Sequence, residues 1–352
     1  EEIGACPMGT EADVNRAVAA AHAAFREWRL VPAIERVQYL FKMKALFDAN
    51  VDELARSVTR EHGKTFIEAR ASVKRGIQMV ETATGMPSFQ KGEFAEDIAR
   101  GIDCTTIRQP MGVFAGIAPF NFPAMVPFWF WPFAIASGNT FVLKPSERVP
   151  LTHQLIFDLI EKSGLPKGVM NLVHGGKDVV NALCTHPQVK GVSFVGSTPV
   201  ARHVHALASQ HGKRVQALGG AKNFMVVLPD APLEKSVATA LESAIGCAGQ
   251  RCLAGSVIVC VGDETYDKVK ERMVASASDV SVGDGMDPNV QLGPIISQES
   301  KDRVVGLIES AVTDGAKLLL DGRKNLPAGP GYFLRTSVIG EVTEKMRVAR
   351  EE

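Results

Sequence analysis

Through the first eighty positions apolar residues recur at spacings of three and four, the signature of helices with one buried stripe. Thr10 followed by Asp13 reads as a capping box, which predicts a helix over 11–28. The same spacing predicts helices over 33–50, 51–61 and 72–83. From Gly112 the texture changes, because short β-branched or apolar runs begin to alternate with helical stretches. Strands are predicted at 112–117, 140–143, 169–173, 191–194, 214–217, 224–228 and 256–260. Between them the pattern predicts helices at 124–136, 151–162, 178–185, 198–209 and 233–248. Such alternation builds a parallel sheet with helical crossovers, an α/β fold. No fixed-period repeat or low-complexity tract interrupts it. The glycine break over 217–223 is read as the junction of two domains, residues 1–217 and 218–352.

Composition narrows the functional classes. The 352 residues are 45% hydrophobic and 22% charged, too apolar for a disordered chain. Lys plus Arg and Asp plus Glu each number 39, so no net field favours nucleic acid or an anionic membrane. The six cysteines form no C-x-x-C pair, and no histidine lies at zinc-finger spacing, so no metal is expected. A reducing compartment fits this usage, cytoplasm or, in a eukaryote, the mitochondrial matrix. The apolar run 111–138 is long enough for a membrane span, but Pro119, Pro123, Pro127 and Pro132 forbid one continuous helix. Neither end reads as a natural terminus, so an incomplete chain is expected.

Four segments carry candidate chemistry, and each also has an ordinary reading. Ser193 to Ser197 is an apolar strand ending in Gly196 and Ser197 ahead of a helix, which suits either a pyrophosphate or a plain helix cap. Lys144-Pro145-Ser146-Glu147-Arg148 follows another strand. Lys144 and Glu147 there suit ribose hydroxyls, with Glu147 disfavouring a 2′-phosphate, or else form a surface ion pair. In Gly249-Gln250-Arg251-Cys252, Cys252 stands beside a cation and among small residues, as a nucleophilic thiolate would, or is an inert thiol. Cys247, on the preceding helical pattern, reads as packing. Asn121, within Ala118-Pro119-Phe120-Asn121-Phe122-Pro123, would cost roughly 1 to 3 kcal/mol if buried unpaired. It serves either as an oxyanion donor or as a turn former between prolines. The eight histidines show no metal or triad pattern.

In this order the segments Phe-Asn-Phe-Pro, Lys-Pro-Ser-Glu, Phe-Val-Gly-Ser, the glycine pair and Gly-Gln-Arg-Cys resemble the aldehyde dehydrogenase superfamily. The likeness runs over nearly the whole chain. It is strongest to the CoA-acylating methylmalonate-semialdehyde dehydrogenase branch, through 117–123, Lys144 to Arg148, Gly220-Ala221-Lys222-Asn223 and Gly249 to Cys252. The resemblance implies a Rossmann-type NAD-binding domain and an α/β catalytic domain. It implies that Cys252 attacks the aldehyde, that Asn121 and the Cys252 backbone N–H hold the oxyanion, and that a hydride passes to NAD. Ala118, Phe120, Lys144, Glu147, Arg148, Ser197, Gly219 and Glu352 would line the cofactor site. Arg75 and Arg251 would grip a substrate carboxylate, although either also reads as an interface or surface pair. A small semialdehyde substrate and a homo-oligomer, dimer or tetramer, are likewise implied.

One departure bears on the chemistry. Hydrolytic members carry Glu-Leu-Gly-Gly where this chain has Ala217-Leu218-Gly219-Gly220. Loss of a general base costs about 10²- to 10⁴-fold, so coenzyme A is the expected acyl acceptor. Methylmalonate or malonate semialdehyde would then lose carbon dioxide and leave as propionyl-CoA or acetyl-CoA. The competing readings are a hydrolytic NAD-dependent aldehyde dehydrogenase, a redox-free acyltransferase or thioesterase, and a non-catalytic fragment.

Overall fold

Strand polarity and helix placement follow from where the apolar residues fall. The structure is a computed structural model that describes residues 2–351. It separates into two units, Glu1–Ser57 with Arg70–Gly219, and Val58–Ala69 with Gly220–Glu352.

In the first unit β1 (Glu93–Ala99) and β2 (Ile102–Thr106) form an exposed antiparallel hairpin. The strands β3 (Val113–Ile117), β4 (Thr140–Lys144), β5 (Met170–Leu172), β6 (Val189–Val195) and β7 (Arg214–Leu218) form a five-stranded sheet in the order β5-β4-β3-β6-β7. Every pairing in that sheet is parallel. All five residues of β4 are buried, as expected of a parallel sheet covered on both faces. One cover is the helix Glu11–Trp28, whose Val14, Val18 and Ala21 share a core with Val113, Ala115 and Val142. Its capping box is present, with Asp13 accepting from the Thr10 backbone N–H and hydroxyl.

The chain builds outward from β3 to β5, then returns to place β6 and β7 on the other side of β3. The order therefore reverses between β3 and β6, and open α/β sheets bind ligands beyond the carboxyl ends of the strands at such a reversal.

The expected helix over 124–136 is instead a short turn, Pro127–Trp129, and a six-residue helix, Trp131–Ala136. Pro127 and Pro132 lack the N–H groups that a continuous helix needs. Aromatic packing holds the broken segment, with ring centroids 5.1 Å apart for Phe47 and Phe128 and 5.3 Å for Phe128 and Trp131. The hairpin of β1 and β2 was not anticipated.

In the second unit β8 (Phe224–Val227) pairs in parallel with β9 (Val257–Cys260), joined by the helix Leu233–Ile245. The helices Asp263–Ser278 and Gln298–Thr313 and the antiparallel pair β10 (Lys317–Leu320) and β11 (Val338–Gly340) complete it. Val227, Val237, Ala240, Val269 and Met273 form its buried core. The helix expected over 233–248 stops at Ile245, because Cys247, Ala248 and Gly249 take left-handed φ values of 53°, 55° and 73°. Among the described residues no helix is long and apolar enough to cross a membrane.

Candidate active site

Each unit carries part of the predicted chemistry. In the first, Ala118 follows β3 directly, and its N–H donates to the carbonyl of Lys144 at 3.0 Å, tying the ends of neighbouring strands together. Ser197 follows β6 and opens the helix Thr198–Gln210. That helix has no acidic residue in its first turn and no side-chain cap, and residues 197–200 are exposed. Its positive dipole end lies where the strand order reverses, a place that favours an anion. Gly219 lies against this turn: a Cβ there would stand 3.0 Å from Thr198 Oγ1, so a side chain would crowd the mouth of the crevice.

At the end of β4 the buried Lys144 ammonium donates to Glu147 Oε2 at 3.1 Å. Burial pushes the Glu147 carboxyl up, but its own backbone N–H and the Lys144 and Arg148 cations outweigh that, leaving it below its ordinary range. An ionised, outward-facing carboxylate beside an ammonium can take both hydroxyls of a ribose and would repel a 2′-phosphate. Arg148 is exposed, and Phe120 and Asn121 are half-buried on the irregular stretch after β3. Behind Lys144, burial, aided by His174 and Lys144, lowers the pKa of the fully buried His153 to about 3. His174, at the end of β5, is lowered by burial and then by Lys144.

Arg75 is exposed and donates to Gln78 Oε1 at 2.8 Å within its own helix. Glu352 lies outside the described residues.

In the second unit Cys252 is half-buried on the segment after the left-handed run, and three anchors hold that segment. Asn223 donates its amide to the carbonyls of Cys252 and Ala254, at 2.9 and 3.1 Å. Gln250 donates to Cys247 O at 3.0 Å and accepts from the Ile296 N–H at 3.1 Å. Glu68 Oε1 accepts from the Cys247 N–H at 2.8 Å and from Arg251 Nη2 at 2.7 Å. Arg251 Nε in turn donates to Cys247 Sγ at 3.4 Å. Cys247 is buried, in keeping with the packing role read from its position.

Sequence reasoning missed Glu68 and Lys64. Lys64 is only 1% exposed; burial lowers its pKa, while Cys247 and Glu68 favour its charge and Arg251 opposes it. Its neighbour His62 is also buried, which, with Lys64, holds that imidazole well below its ordinary value and therefore neutral. The available signal was the Thr65-x-x-Glu68 spacing: Glu68 Oε2 accepts from the Thr65 N–H and hydroxyl at 3.2 and 3.0 Å.

The aldehyde dehydrogenase family profile matches residues 1–352. A malonate-semialdehyde dehydrogenase of Geobacillus thermodenitrificans is 47% identical over 353 residues, covering 100% of this chain and 73% of the relative. A second, from Halalkalibacterium halodurans, is also 47% identical and is covered over 72% of its length. Among solved structures, a methylmalonate-semialdehyde dehydrogenase of Oceanimonas doudoroffii superposes with a TM-score of 0.95 at 43% identity, covering 98% of this chain and 71% of that one. A Sinorhizobium meliloti protein provisionally assigned to the same activity, and solved in complex with NAD, gives 0.95 at 40% identity with the same coverage.

Proposed function

Because the chain belongs to the aldehyde dehydrogenase family, we propose that it oxidises a small carboxylate-bearing semialdehyde, malonate or methylmalonate semialdehyde, with NAD, and passes the acyl group to coenzyme A. The observation that carries this reading is the presentation of Cys252: a half-buried thiol beside Arg251, on a segment fixed by Asn223, Gln250 and Glu68. Likeness to malonate- and methylmalonate-semialdehyde dehydrogenases supports the substrate class.

NAD, when bound, accepts the hydride that leaves the aldehyde carbon. Ala118, Phe120, Lys144, Glu147, Arg148, Ser197 and Gly219 would hold such a ligand: the dipole of the helix Thr198–Gln210 suits its pyrophosphate and the Lys144–Glu147 pair its ribose. Cys252 sulfur adds to the aldehyde carbon, and Asn121 with the Cys252 N–H neutralises charge on the oxygen. After oxidation the acyl group rests on that sulfur as a thioester. With Ala217 where hydrolytic members hold a carboxylate, water has no general base there. Glu68, an acid bonded to the nucleophile segment, already accepts from Thr65, Cys247 and Arg251. The thiolate of coenzyme A therefore displaces the Cys252 sulfur, giving acyl-CoA and restoring the free cysteine. Arg75 and Arg251 hold the substrate carboxylate until it departs as carbon dioxide. The protein acts as a homo-oligomer, for which the apolar residues exposed on the β1–β2 hairpin offer a surface.

The test is NADH formation from malonate or methylmalonate semialdehyde, with and without coenzyme A. The expected outcome is turnover that depends on coenzyme A and yields propionyl-CoA or acetyl-CoA. Turnover indifferent to coenzyme A, with release of free acid, overturns the acceptor.

A further inference from the structure

We propose that Glu68 is a positioning residue that aims Arg251, so that one edge of its guanidinium is held in the protein while the other is offered to the carboxylate of the substrate at Cys252. The inference rests on the reading of a carboxylate-bearing aldehyde and assigns a role to a residue outside the predicted site.

The geometry begins with Glu68 itself. Its Oε2 is fixed by the Thr65 N–H and hydroxyl at the start of the helix Phe66–Ala83, so the carboxylate cannot rotate freely. Its Oε1 then takes both the Cys247 N–H and Arg251 Nη2. One oxygen thus ties the backbone of the left-handed run to the cation beside the nucleophile. Nε and Nη2 of Arg251 are engaged with Cys247 Sγ and Glu68 Oε1, which leaves the Nη1 end for another acceptor. A guanidinium presents its donors as a planar fork, so fixing one edge fixes the direction of the other.

Gly246 provides an independent sign that this pose is built in. Its φ of −52° is open to any residue, yet a Cβ there would lie 2.1 Å from Arg251 Cζ and 2.3 Å from Nη1. A side chain at 246 would push the guanidinium out of this pose, because the guanidinium lies against the backbone at that point. Charge gives a third reason. Lys64, fully buried, and Arg251 both face Cys247, and Glu68 is the carboxylate they share. Without that charge the two cations repel, and Arg251, the more exposed of them, is the one that swings away.

The test uses alkylation of Cys252 in the full chain by iodoacetate and by iodoacetamide, with the label located by peptide mass mapping. Both reagents transfer a two-carbon group to the thiolate with loss of iodide, and they differ in bearing a carboxylate or a neutral amide. The ratio of their rates therefore reports the cation next to Cys252 without requiring aldehyde oxidation. Glu68→Gln is expected to lower the iodoacetate to iodoacetamide ratio about fivefold, the size of an ordinary partly exposed charge pair, with the iodoacetamide rate within about twofold of the parent. Glu68→Asp should restore part of the ratio. Gly246→Ala, which displaces the guanidinium and leaves Glu68 in place, should lower it as well. Arg251→Met should lower it equally, and adding Glu68→Gln to Arg251→Met should cause no further fall. An unchanged ratio in Glu68→Gln, a raised ratio, or an equal fall in both rates overturns the proposal. If the ratios behave as expected and the enzyme does not oxidise a semialdehyde, the substrate reading fails while the positioning role stands.

Discussion

Cys252 and Cys247 are five residues apart on one segment, and their surroundings assign them opposite behaviour. Alkylating the native chain should label Cys252 and spare the buried Cys247, which peptide mapping will read directly. Cys252→Ser should reduce NADH formation to background, since a hydroxyl is a far weaker nucleophile than a thiol near neutral pH. Ala217→Glu is expected to raise acid release in the absence of coenzyme A, by up to about 10²-fold if the new carboxylate reaches the water; no gain would mean that Ala217 is not where the missing base belongs. Lys144, Glu147, Asn121 and Cys252 stand out in the sequence because each is a polar or reactive side chain beside an apolar run, and such a residue is visible in a one-dimensional pattern. Glu68 was not. Its capping partner is three residues away and visible, but its other partners lie 179 and 183 positions along the chain, beyond the reach of any local pattern.

Among the elements, the helix Leu151–Lys162 carries a pH dependence. His153 on it is fully buried with its pKa lowered to about 3, against an ordinary value of 6.5. The unfolded chain thus binds a proton there below about pH 6.5 that the folded chain refuses until about pH 3. Stability is complete above the upper value and falls as pH drops through that window, by up to about 1.4 kcal/mol per pH unit for this one group. His153→Leu should flatten the dependence of urea unfolding on pH between those limits; an unchanged slope would place the proton elsewhere. The strands of the sheet were legible because short, mainly apolar runs rich in β-branched residues alternate with helical stretches. The expected 140–143 became Thr140–Lys144, and 191–194 became Val189–Val195. The hairpin was illegible for the converse reason: every residue of β1 and β2 is exposed, so neither strand alternates between a wet and a dry face. Helix ends misled where backbone sterics override apolar spacing, at Pro127 and Pro132 and at the left-handed turn after Ile245.

For the whole molecule, the step from Gly219 of the first unit to Gly220 of the second falls within the glycine break over 217–223. Nothing local marks residues 58–69 for the second unit: their helical pattern is that of their neighbours, and tertiary contacts alone assign them. The hairpin exposes Phe94, Ile98, Ile102 and Ile107, an apolar patch of the kind that self-association covers. Ile98→Lys with Ile102→Lys is expected to lower the sedimentation coefficient to that of a monomer, and an unaltered value would put the subunit contact on another surface. The left-handed run at 247–249 has a consequence for how this protein would respond to selection for heat resistance. Ala248 occupies a conformation that disfavours a side chain by about 1 kcal/mol, and glycine there would relieve it. Ala248→Gly is therefore a variant that a thermal screen would retain, yet it would also loosen the turn that leads into the Cys252 segment, so hardiness and turnover are expected to move in opposite directions along a single torsion angle.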